Sequence, residues 1–364
     1  MYTCPPNIER IGENVLSYPT AKVVAHSKSS VTGKEVITFE LEFWRGVLAE
    51  FNTHNALSKN TSSSRAIPVP TMIKQVRENT GMPVRFGAAN KGMQDAGEHN
   101  DLVICTNEMA ESLGGMYPKD AWVFAANQAA DLAQAFHDAG YAKQICNRLI
   151  ESFQNVKMVV TATDLDNFYW LRDHYMADPT IEALAEAMKK SHEESVPTTL
   201  APGEWHVPYY NDGVWKQVQM GPTTDSDGNM VGIDVQWNTL EDALAISASC
   251  CAQASFRTLN DTIEKAKDIV TKLNLGVDLT EPCHASPTEH QATPIVGTEK
   301  ETCNDYGDDG RYYFGKNLNQ QDPKTWQEGI THIMRDGTFG SGNLKGFIQH
   351  RQLIPGNVYV KESV

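Results

Sequence analysis

The chain has 364 residues, of which 40% are hydrophobic, and its formal net charge is −15. This length exceeds the usual single-domain size, so one large or two medium domains are expected. The acidic balance disfavours binding of a nucleic-acid polymer, because neutralising a phosphate backbone needs a basic surface. A single nucleotide is not excluded, since one phosphate needs only a few local arginines.

The cysteine pattern indicates a reducing compartment. There are seven cysteines, two of them adjacent, and no C-x-x-C pair, so neither a disulfide framework nor a zinc ribbon is predicted. The first residues (MYTCPPNIER) lack a basic region before an apolar run, and no apolar run approaches membrane-spanning length. We therefore expect a cytoplasmic protein, in the host cytoplasm if it is viral, that does not enter a membrane.

The first third of the chain predicts strands followed by short helices. Residues 21–25 and 36–44 read as strands, the second by its alternation of apolar and polar residues. A helical pattern follows from Arg45 to about Ala56. The stretch 58–65 is rich in Ser, Asn and Thr, whose side chains compete for backbone partners, and predicts a loop. A short helix near 72–79 and a Gly-rich surface loop at 81–100 come next.

Helices dominate the middle of the sequence. One spans 120–139 and is closed by Gly140, and a second spans about 141–153. The apolar run 156–161 predicts a short strand. Asp164 is expected to cap a helix that ends near Tyr175, and Pro179 to start another that ends near His192.

The remaining segments suggest two lobes. A Pro-, Gly- and aromatic-rich stretch at 195–229 predicts a connection, helices resume at about 240–275, and the tail from 282 reads as irregular segments and strands before a helical piece at 343–352. The predicted organisation is a first lobe at 1–200, a connection at 201–235 and a second lobe at 236–364. The predicted class is α+β, with an antiparallel sheet packed against helices.

The segment from Thr53 to Arg65 (THNALSKNTSSSR) concentrates groups that bind anions. It holds a histidine, several hydroxyls, two asparagines and an arginine at one helix-to-loop transition. Short donors of this kind can converge on a phosphate, with Arg65 as a bidentate clamp. The alternative is a Ser-rich surface loop with an incidental arginine.

Two further constellations are candidates for function. Arg148 and Arg172 lie on successive predicted helices, with Asn167 nearby, and can meet over one anionic ligand; alternatively they form surface pairs with Asp164, Asp166 or Asp173. The stretch from His284 to His290 (HASPTEH) contains two histidines, but Pro287 disfavours a helical metal-ligand geometry. It predicts either a loop that contacts a cofactor or a structural turn.

Together these segments resemble the flavin-dependent thymidylate synthases, and more closely the long versions found in tailed bacteriophages. Five of the seven fixed positions of the family signature R-H-R-x-x-S-x-N-x-x-S-x-R match in register, at His54, Ser58, Asn60, Ser63 and Arg65. The family's N-x-x-x-x-R stretch is similar to Asn167–Arg172, and its earlier substrate arginine to Arg148. Its H-x-[ST]-P-F-E-H segment is similar to 284–290, and its A-R-V-S-[FY] stretch to 252–256.

The order of these segments implies a rearranged chain. In compact family members the H-x-[ST]-P-F-E-H segment precedes the R-H-R segment, whereas here it follows by more than two hundred residues. The resemblance therefore implies a permuted or partly duplicated thymidylate-synthase-like fold, and the stretch 346–351, similar to the family's Q-W-F-R-H-R helix, favours duplication followed by loss. Compact members are tetramers with shared sites, so a homo-oligomer, dimer or tetramer, is implied.

The resemblance implies reductive methylation of dUMP to dTMP, with carbon from methylenetetrahydrofolate and hydride from NADPH through FAD. Arg172 would contact the uracil edge and favour ionisation at N3, as the catalytic group. The residues implied to bind the nucleotide are Ser63, Ser64, Arg65, Arg148 and Arg172. The residues implied to contact the flavin are His54, Asn55, Ser58, Asn60, Asn167, His284, Ser286 and Glu289.

The departures from the family pattern leave three functions open. Thr53 and Asn55 replace the arginines that flank the signature histidine, Thr61 replaces a Glu, and Thr288 replaces a Phe. Each charged hydrogen bond that is not replaced costs about 1.5–3 kcal/mol, and His350 or Arg351 in the tail is a candidate replacement. The chain is then a thymidylate synthase, a related flavin enzyme that hydroxymethylates dUMP or dCMP, or a non-catalytic nucleotide-binding homologue.

Overall fold

The computed structural model describes residues 18–104, 115–217, 222–224, 228, 230–233, 239–253, 259–296, 305–306, 312–313 and 323–359. These residues form a mixed α+β arrangement in which sheets pack against helices, so the predicted class is confirmed. The implied thymidylate-synthase-like topology, its permutation or duplication, and the three-part domain division stay predictions. Ser255 and Phe256, from one of the matching motifs, lie outside the described residues.

The strands are short except for three long ones, Thr20–Ser29, Glu35–Trp44 and Asn155–Ala162, which lie in the main sheet. In chain order they are β1 (Thr20–Ser29), β2 (Glu35–Trp44), β3 (Ser58–Thr61), β4 (Val103–Ile104), β5 (Gly115–Met116), β6 (Asn155–Ala162), β7 (Thr198–Leu200), β8 (Trp205–His206), β9 (Val214–Trp215), β10 (Pro222–Thr224), β11 (Met230–Ile233), β12 (Ala292–Pro294), β13 (Asp305–Tyr306), β14 (Tyr312–Tyr313), β15 (His332–Ile333), β16 (Phe339–Ser341), β17 (Leu344–Lys345) and β18 (Phe347–Gln349).

The helices range from five to 21 residues. In chain order they are α1 (Leu48–Asn52), α2 (Val69–Glu78), α3 (Pro118–Asp138), α4 (Lys143–Leu149), α5 (Asp166–Arg172), α6 (Pro179–Glu193), α7 (Leu240–Gln253) and α8 (Ile263–Lys272). Short 3₁₀ turns lie at Arg45–Val47, Glu151–Phe153, Ser286–His290, Pro323–Thr325 and His350–Leu353. Within the described residues, no helix combines the length and the apolar character needed to cross a membrane.

The main sheet has the strand order β3-β6-β2-β1-β7 and is antiparallel except between β1 and β7. The alternation that predicted β2 places Phe39, Leu41 and Phe43 in the core, all without exposed surface. Helix α6 covers this face with Leu184 and Met188, which are also fully buried. The opposite face is also covered in part, because Val36, Thr38 and Thr161 are fully buried.

Three helices form a second apolar cluster beside the sheet. Helices α2, α3 and α4 meet there through Met72, Val76, Ala130 and Cys146. Small residues on α3 let the helices approach closely, which explains its alanine-rich face. The predicted closure of α3 by Gly140 is confirmed, since this glycine has a φ of 84°.

A smaller sheet with the order β18-β12-β8-β9 packs against α7. Trp205 lies in β8 and is buried with Ile246 and Cys250 of α7, so Trp205 and Cys250 are packing residues. The predicted connection at 195–229 thus supplies β7 to the main sheet and β8 and β9 to the smaller one.

A chain of buried hydrogen bonds joins the two sheets. The Ser27 hydroxyl lies 2.9 Å from His206 Nδ1, and His206 Nε2 lies 2.8 Å from the Thr38 hydroxyl. Thr38 is 2.7 Å from the Thr161 hydroxyl, which is 2.8 Å from His290 Nδ1. All five residues are buried, so the hydroxyls and ring nitrogens that form these bonds take their hydrogen-bond partners from one another and not from water.

Replacing Thr161 with valine is expected to lower the free energy of unfolding by about 1–3 kcal/mol, because the isosteric side chain leaves Thr38 and His290 each without one buried partner. Urea denaturation measures the change. The matched control is Thr199→Val on the exposed edge of β7, which should stay within about 0.5 kcal/mol. Equal stability of the two variants would contradict the proposed dependence.

Two predicted elements near the candidate site are corrected. The helix expected from Arg45 to Ala56 is a 3₁₀ turn followed by α1, which ends at Asn52, because the Thr53 hydroxyl donates to the Glu50 carbonyl and competes with the helical pattern. The loop expected at 58–65 begins with strand β3, because edge pairing with β6 satisfies the backbone of these polar residues.

Two further corrections concern the ends of elements. Asp164 does not cap α5, because the N-cap residue of this helix is Leu165. The Asp164 carboxylate pairs with Lys345 instead. The helix predicted at 343–352 is replaced by β17, β18 and a 3₁₀ turn, since the apolar stretch Phe347–Gln349 pairs with β12 and is fully buried between strands. In both places a contact with a distant part of the chain, an ion pair or a strand pairing, overrides a weak local preference.

Candidate functional site

The centre of the candidate site is a contact between two sequence motifs. The turn after α1 carries His54, and the last turn of α5 carries Arg172, whose Nε donates to His54 Nε2 at 2.9 Å. Phe168 of α5 supports the imidazole edge-on, with ring centroids 5.0 Å apart. Both side chains are half-buried, so the pair is held in place and still reaches the surface.

The electrostatics keep this histidine neutral. Burial, then the charges of Arg172 and Lys59, lower the pKa of His54 below its usual value. A neutral ring that accepts at Nε2 carries its proton on Nδ1. Within the described ranges, the two terminal nitrogens of the Arg172 guanidinium have no partner, so they can donate to a further acceptor such as an oxygen-rich ligand.

The segment 284–290 packs directly on β3. The Ser286 hydroxyl donates to Asn60 Oδ1 at 3.5 Å across 226 positions of sequence, and Asn60 Nδ2 donates to the Cys251 carbonyl at 2.8 Å. Ser58 is fully buried, and its hydroxyl accepts from Gln349 Nε2 at 3.0 Å. The structure thus brings the segment 53–65 and the segment 284–290 together.

The predicted phosphate arginines lie on neighbouring backbones. Asn147 of α4 donates through Nδ2 to the carbonyls of Ser64 and Ile67, each at 2.9 Å, and so ties the loop after β3 to α4. The residues next to these anchors are Arg65 and Arg148, and both are exposed. Within the described part of the chain neither guanidinium forms an ion pair, and the alternative pairing of Arg148 or Arg172 with the nearby aspartates is absent.

The other predicted site residues differ in their access to solvent. Asn55, Ser63, Asn167 and His284 are exposed, whereas Ser64 is buried. Glu289 is half-buried and pairs with Arg351 in the tail. The roles assigned to these residues by resemblance stay predictions.

Sequence reasoning missed three residues that build this region. Gln349 bridges Ser58 and the Glu289 carbonyl, at 3.0 Å to each. Lys59 donates to the His54 carbonyl at 2.8 Å, and burial lowers its pKa. Asn147 anchors the arginine loop. A buried polar residue inside an apolar helical pattern was a usable signal for Asn147, while Lys59 falls on a variable position of the motif.

The tail does not replace the missing charges as expected. Burial lowers the pKa of His350 to about 4, so this residue is neutral near pH 7 and supplies no cation. Arg351 is engaged with Glu289. The additional cation beside His54 is instead Lys59 of β3, which donates to the His54 carbonyl.

The residues present fit a nucleotide phosphate and the polar rim of a flavin. Arg65, Arg148 and Ser63 offer exposed donors around one anchored loop, which is the donor set a phosphate needs. Asn55, Asn167 and His284 offer exposed polar groups, while Ser58 and Asn60 are bonded to protein. Arg172 completes the set with free guanidinium nitrogens.

A well-formed cleft lies elsewhere. It has a volume of about 280 Å³ and is lined by the β1–β2 turn, the end of β6, the start of α5 and His192 of α6. None of the predicted nucleotide or flavin residues lines it. The cavity and the motif residues therefore mark two different places, and the motif residues, which carry the free donors, are the better nucleotide candidate.

Comparison with known proteins gives a partial structural likeness. No protein-family model matches the sequence, and no curated protein matches it. The UMP/dUMP methylase PolB from Streptomyces cacaoi, bound with 5-Br UMP, is similar with a TM-score of 0.36 and 16% identity, over 48% of this chain and 89% of that chain. The flavin dependent thymidylate synthase ThyX from Helicobacter pylori, complexed with FAD and dUMP, is similar with a TM-score of 0.26 and 22% identity, over 43% of this chain and 67% of that chain.

The structural similarity therefore covers about half of the chain. At these TM-scores and identities the similarity identifies neither a substrate nor a reaction.

Proposed function

We propose that this protein is a flavin-dependent enzyme that reductively methylates dUMP to dTMP, with methylenetetrahydrofolate as carbon donor and NADPH as hydride source. The observation that carries the proposal is the bond from Arg172 Nε to His54 Nε2, which joins two motif segments 118 positions apart. Packing of Ser286 on Asn60 adds the third segment. Three separate motifs in one place are more specific than any one of them.

We assign the roles of the residues from the resemblance, and the geometry of the site supports the assignment. The Arg65 and Arg148 guanidiniums hold the phosphate, with Ser63 and Ser64 on the same loop. The free nitrogens of Arg172 contact the uracil edge, where a fixed positive charge stabilises negative charge that develops on the ring. When bound, the flavin supplies the hydride chemistry, and His54, Asn55, Ser58, Asn60, Asn167, His284, Ser286 and Glu289 form or support its surroundings.

The exposure of these residues favours a shared site. Binding pockets usually bury most of their ligand's surface, whereas Asn55, Asn167 and His284 lie open on one chain. We therefore propose a homo-oligomer, dimer or tetramer, in which a second copy covers the flavin.

Hydroxymethylation of dUMP or dCMP is the second candidate. It is favoured by Thr53 and Asn55, two exposed uncharged residues where the resembled family has arginines, with Arg351 engaged at Glu289. A changed charge near the ring would alter which nucleotide and which one-carbon step the site supports. Mass spectrometry of the product separates the two reactions by the added oxygen.

Binding of FAD tests the proposal most directly. The purified chain with added FAD should retain flavin absorption through gel filtration, and dUMP should shift the visible bands, because the nucleotide and the flavin would occupy one site. Bovine serum albumin carried through the same column controls for non-specific carry-over. A colourless protein from which all FAD elutes free would contradict the flavin assignment and support a non-catalytic nucleotide-binding protein.

A further inference from the structure

His26, Glu35 and His192 form a cluster that the proposed reaction does not use. Their nearest ligand-type atoms all lie within 4.8 Å of one another. The β1–β2 register pairs Lys28 with Glu35 and His26 with Ile37, so His26 and Glu35 are diagonal neighbours on one face of the sheet. Helix α6 packs over this face and adds His192 from its last turn.

The two imidazoles are oriented by their Nδ1 atoms. His26 Nδ1 lies 3.1 Å from the Ser195 hydroxyl, and His192 Nδ1 lies 3.4 Å from the Tyr169 hydroxyl. In both rings this leaves Nε2 as the atom for a further partner. Metal-binding histidines are commonly held in this way, with one nitrogen on a hydrogen-bond partner and the other on the ion.

Among the residues that the structure describes, the buried Nε2 of His26 has no hydrogen-bond partner. This atom is inaccessible to solvent, and the residue is only 7% exposed. The Glu35 carboxylate comes within 3.5 Å, a long contact that does not form a hydrogen bond. An unpartnered buried polar atom is costly, and an ion between His26 Nε2 and the carboxylate satisfies both.

The surroundings favour a cation. The 280 Å³ cleft is lined by Glu35 and His192 and also by Asp164 and Asp166. The cluster lies at the C-terminal end of the 15-residue helix α6, where the helix dipole is negative. Lys28 and Lys345 balance part of this charge by pairing with Glu35 and Asp164.

We propose that His26, Glu35 and His192 bind one first-row divalent metal ion of the Zn²⁺ class. Two imidazole nitrogens and one carboxylate are a donor set that such ions prefer, in contrast to the all-oxygen sets of Mg²⁺ and Ca²⁺. The three donor atoms now lie up to 4.8 Å from one another. Donors that each lie about 2.0–2.2 Å from a tetrahedral ion are closer together than this, so small side-chain rotations are needed on binding. The remaining coordination positions face the cleft and take water or an oxygen of a small anionic ligand.

Metal titration of the tag-free full chain tests the site. After dialysis against EDTA, Co²⁺ added as a spectroscopic probe should bind with a stoichiometry of one per chain and produce visible ligand-field absorption, and Zn²⁺ should displace it. His192→Gln should weaken binding by at least about 10–100-fold, the effect usual for losing even a partner of a metal ligand. Glu35→Gln, which changes a partly exposed side chain, is a second variant that should fold normally and show the same loss.

His137→Gln, at an exposed position of α3, is the matched control and should bind like the parent chain. Absence of stoichiometric Co²⁺ and Zn²⁺ binding to the parent chain would overturn the proposal. Unchanged affinity in folded Glu35→Gln and His192→Gln would do so as well. The readout requires neither flavin nor dUMP, so it is independent of the proposed reaction.

Discussion

Replacing Arg172 with alanine is expected to lower kcat/KM for dTMP formation by about 100- to 1,000-fold, the usual loss when one preorganised donor to a developing charge is removed. The side chain is held by His54 at 2.9 Å. In the proposed reaction its remaining nitrogens contact the substrate. Because Arg172 is half-buried at the end of α5 and is not part of an apolar cluster, its removal should leave the fold intact. Steady-state kinetics and circular dichroism measure the two effects.

Arg77→Ala supplies the control for this experiment. Arg77 lies on α2, pairs with Asp131 at 2.6 Å and is exposed, so its loss removes an arginine without touching the candidate site. Its kinetics should match those of the parent enzyme. Near-normal dTMP formation by Arg172→Ala would contradict the role of the guanidinium, and an equal loss in Arg77→Ala would point to a general effect of charge.

Acidification from pH 7.5 to pH 5.0 is expected to lower the free energy of unfolding by at least about 4 kcal/mol, because each of two fully buried histidines costs about 2 kcal/mol and His350, with a pKa of about 4, adds to the loss. Burial lowers the pKa of both His206 and His290 to about 3. In the unfolded chain both titrate near 6.5, so between these values the unfolded state binds more protons and is favoured as the pH falls. Each histidine contributes about 2 kcal/mol by pH 5, and the sum is large against a typical stability of about 5–15 kcal/mol.

Urea denaturation at the two pH values, in the presence of EDTA, measures this loss. His290→Gln should reduce the loss of stability between the two pH values by about 2 kcal/mol, because glutamine does not titrate and can still reach the Thr161 hydroxyl. The exposed His137→Gln should retain all of it. Equal stability of the parent chain at pH 7.5 and pH 5.0 would show that these two rings are not held neutral by burial.

Several features of the fold and of the candidate site could be predicted from the sequence because they depend on local patterns. The alternation in 36–44 predicted β2, and the Gly140 signal predicted the end of α3. The motif spacing singled out His54 and Arg172 before their contact was seen. The prediction of a loop from polar composition was wrong at 58–61, because pairing with β6 compensates for poor strand propensity.

The sequence by itself determined the α+β class, the long elements and the chemical types of the candidate residues, since these follow from short-range periodicity and side-chain chemistry. Only the tertiary structure decided which of them meet. Ser286 reaches Asn60 across 226 positions, and His192 joins His26 and Glu35 only because α6 packs on β1 and β2. The physical reason is that strand order and helix docking are set by burial of whole faces, which no local pattern in the chain encodes.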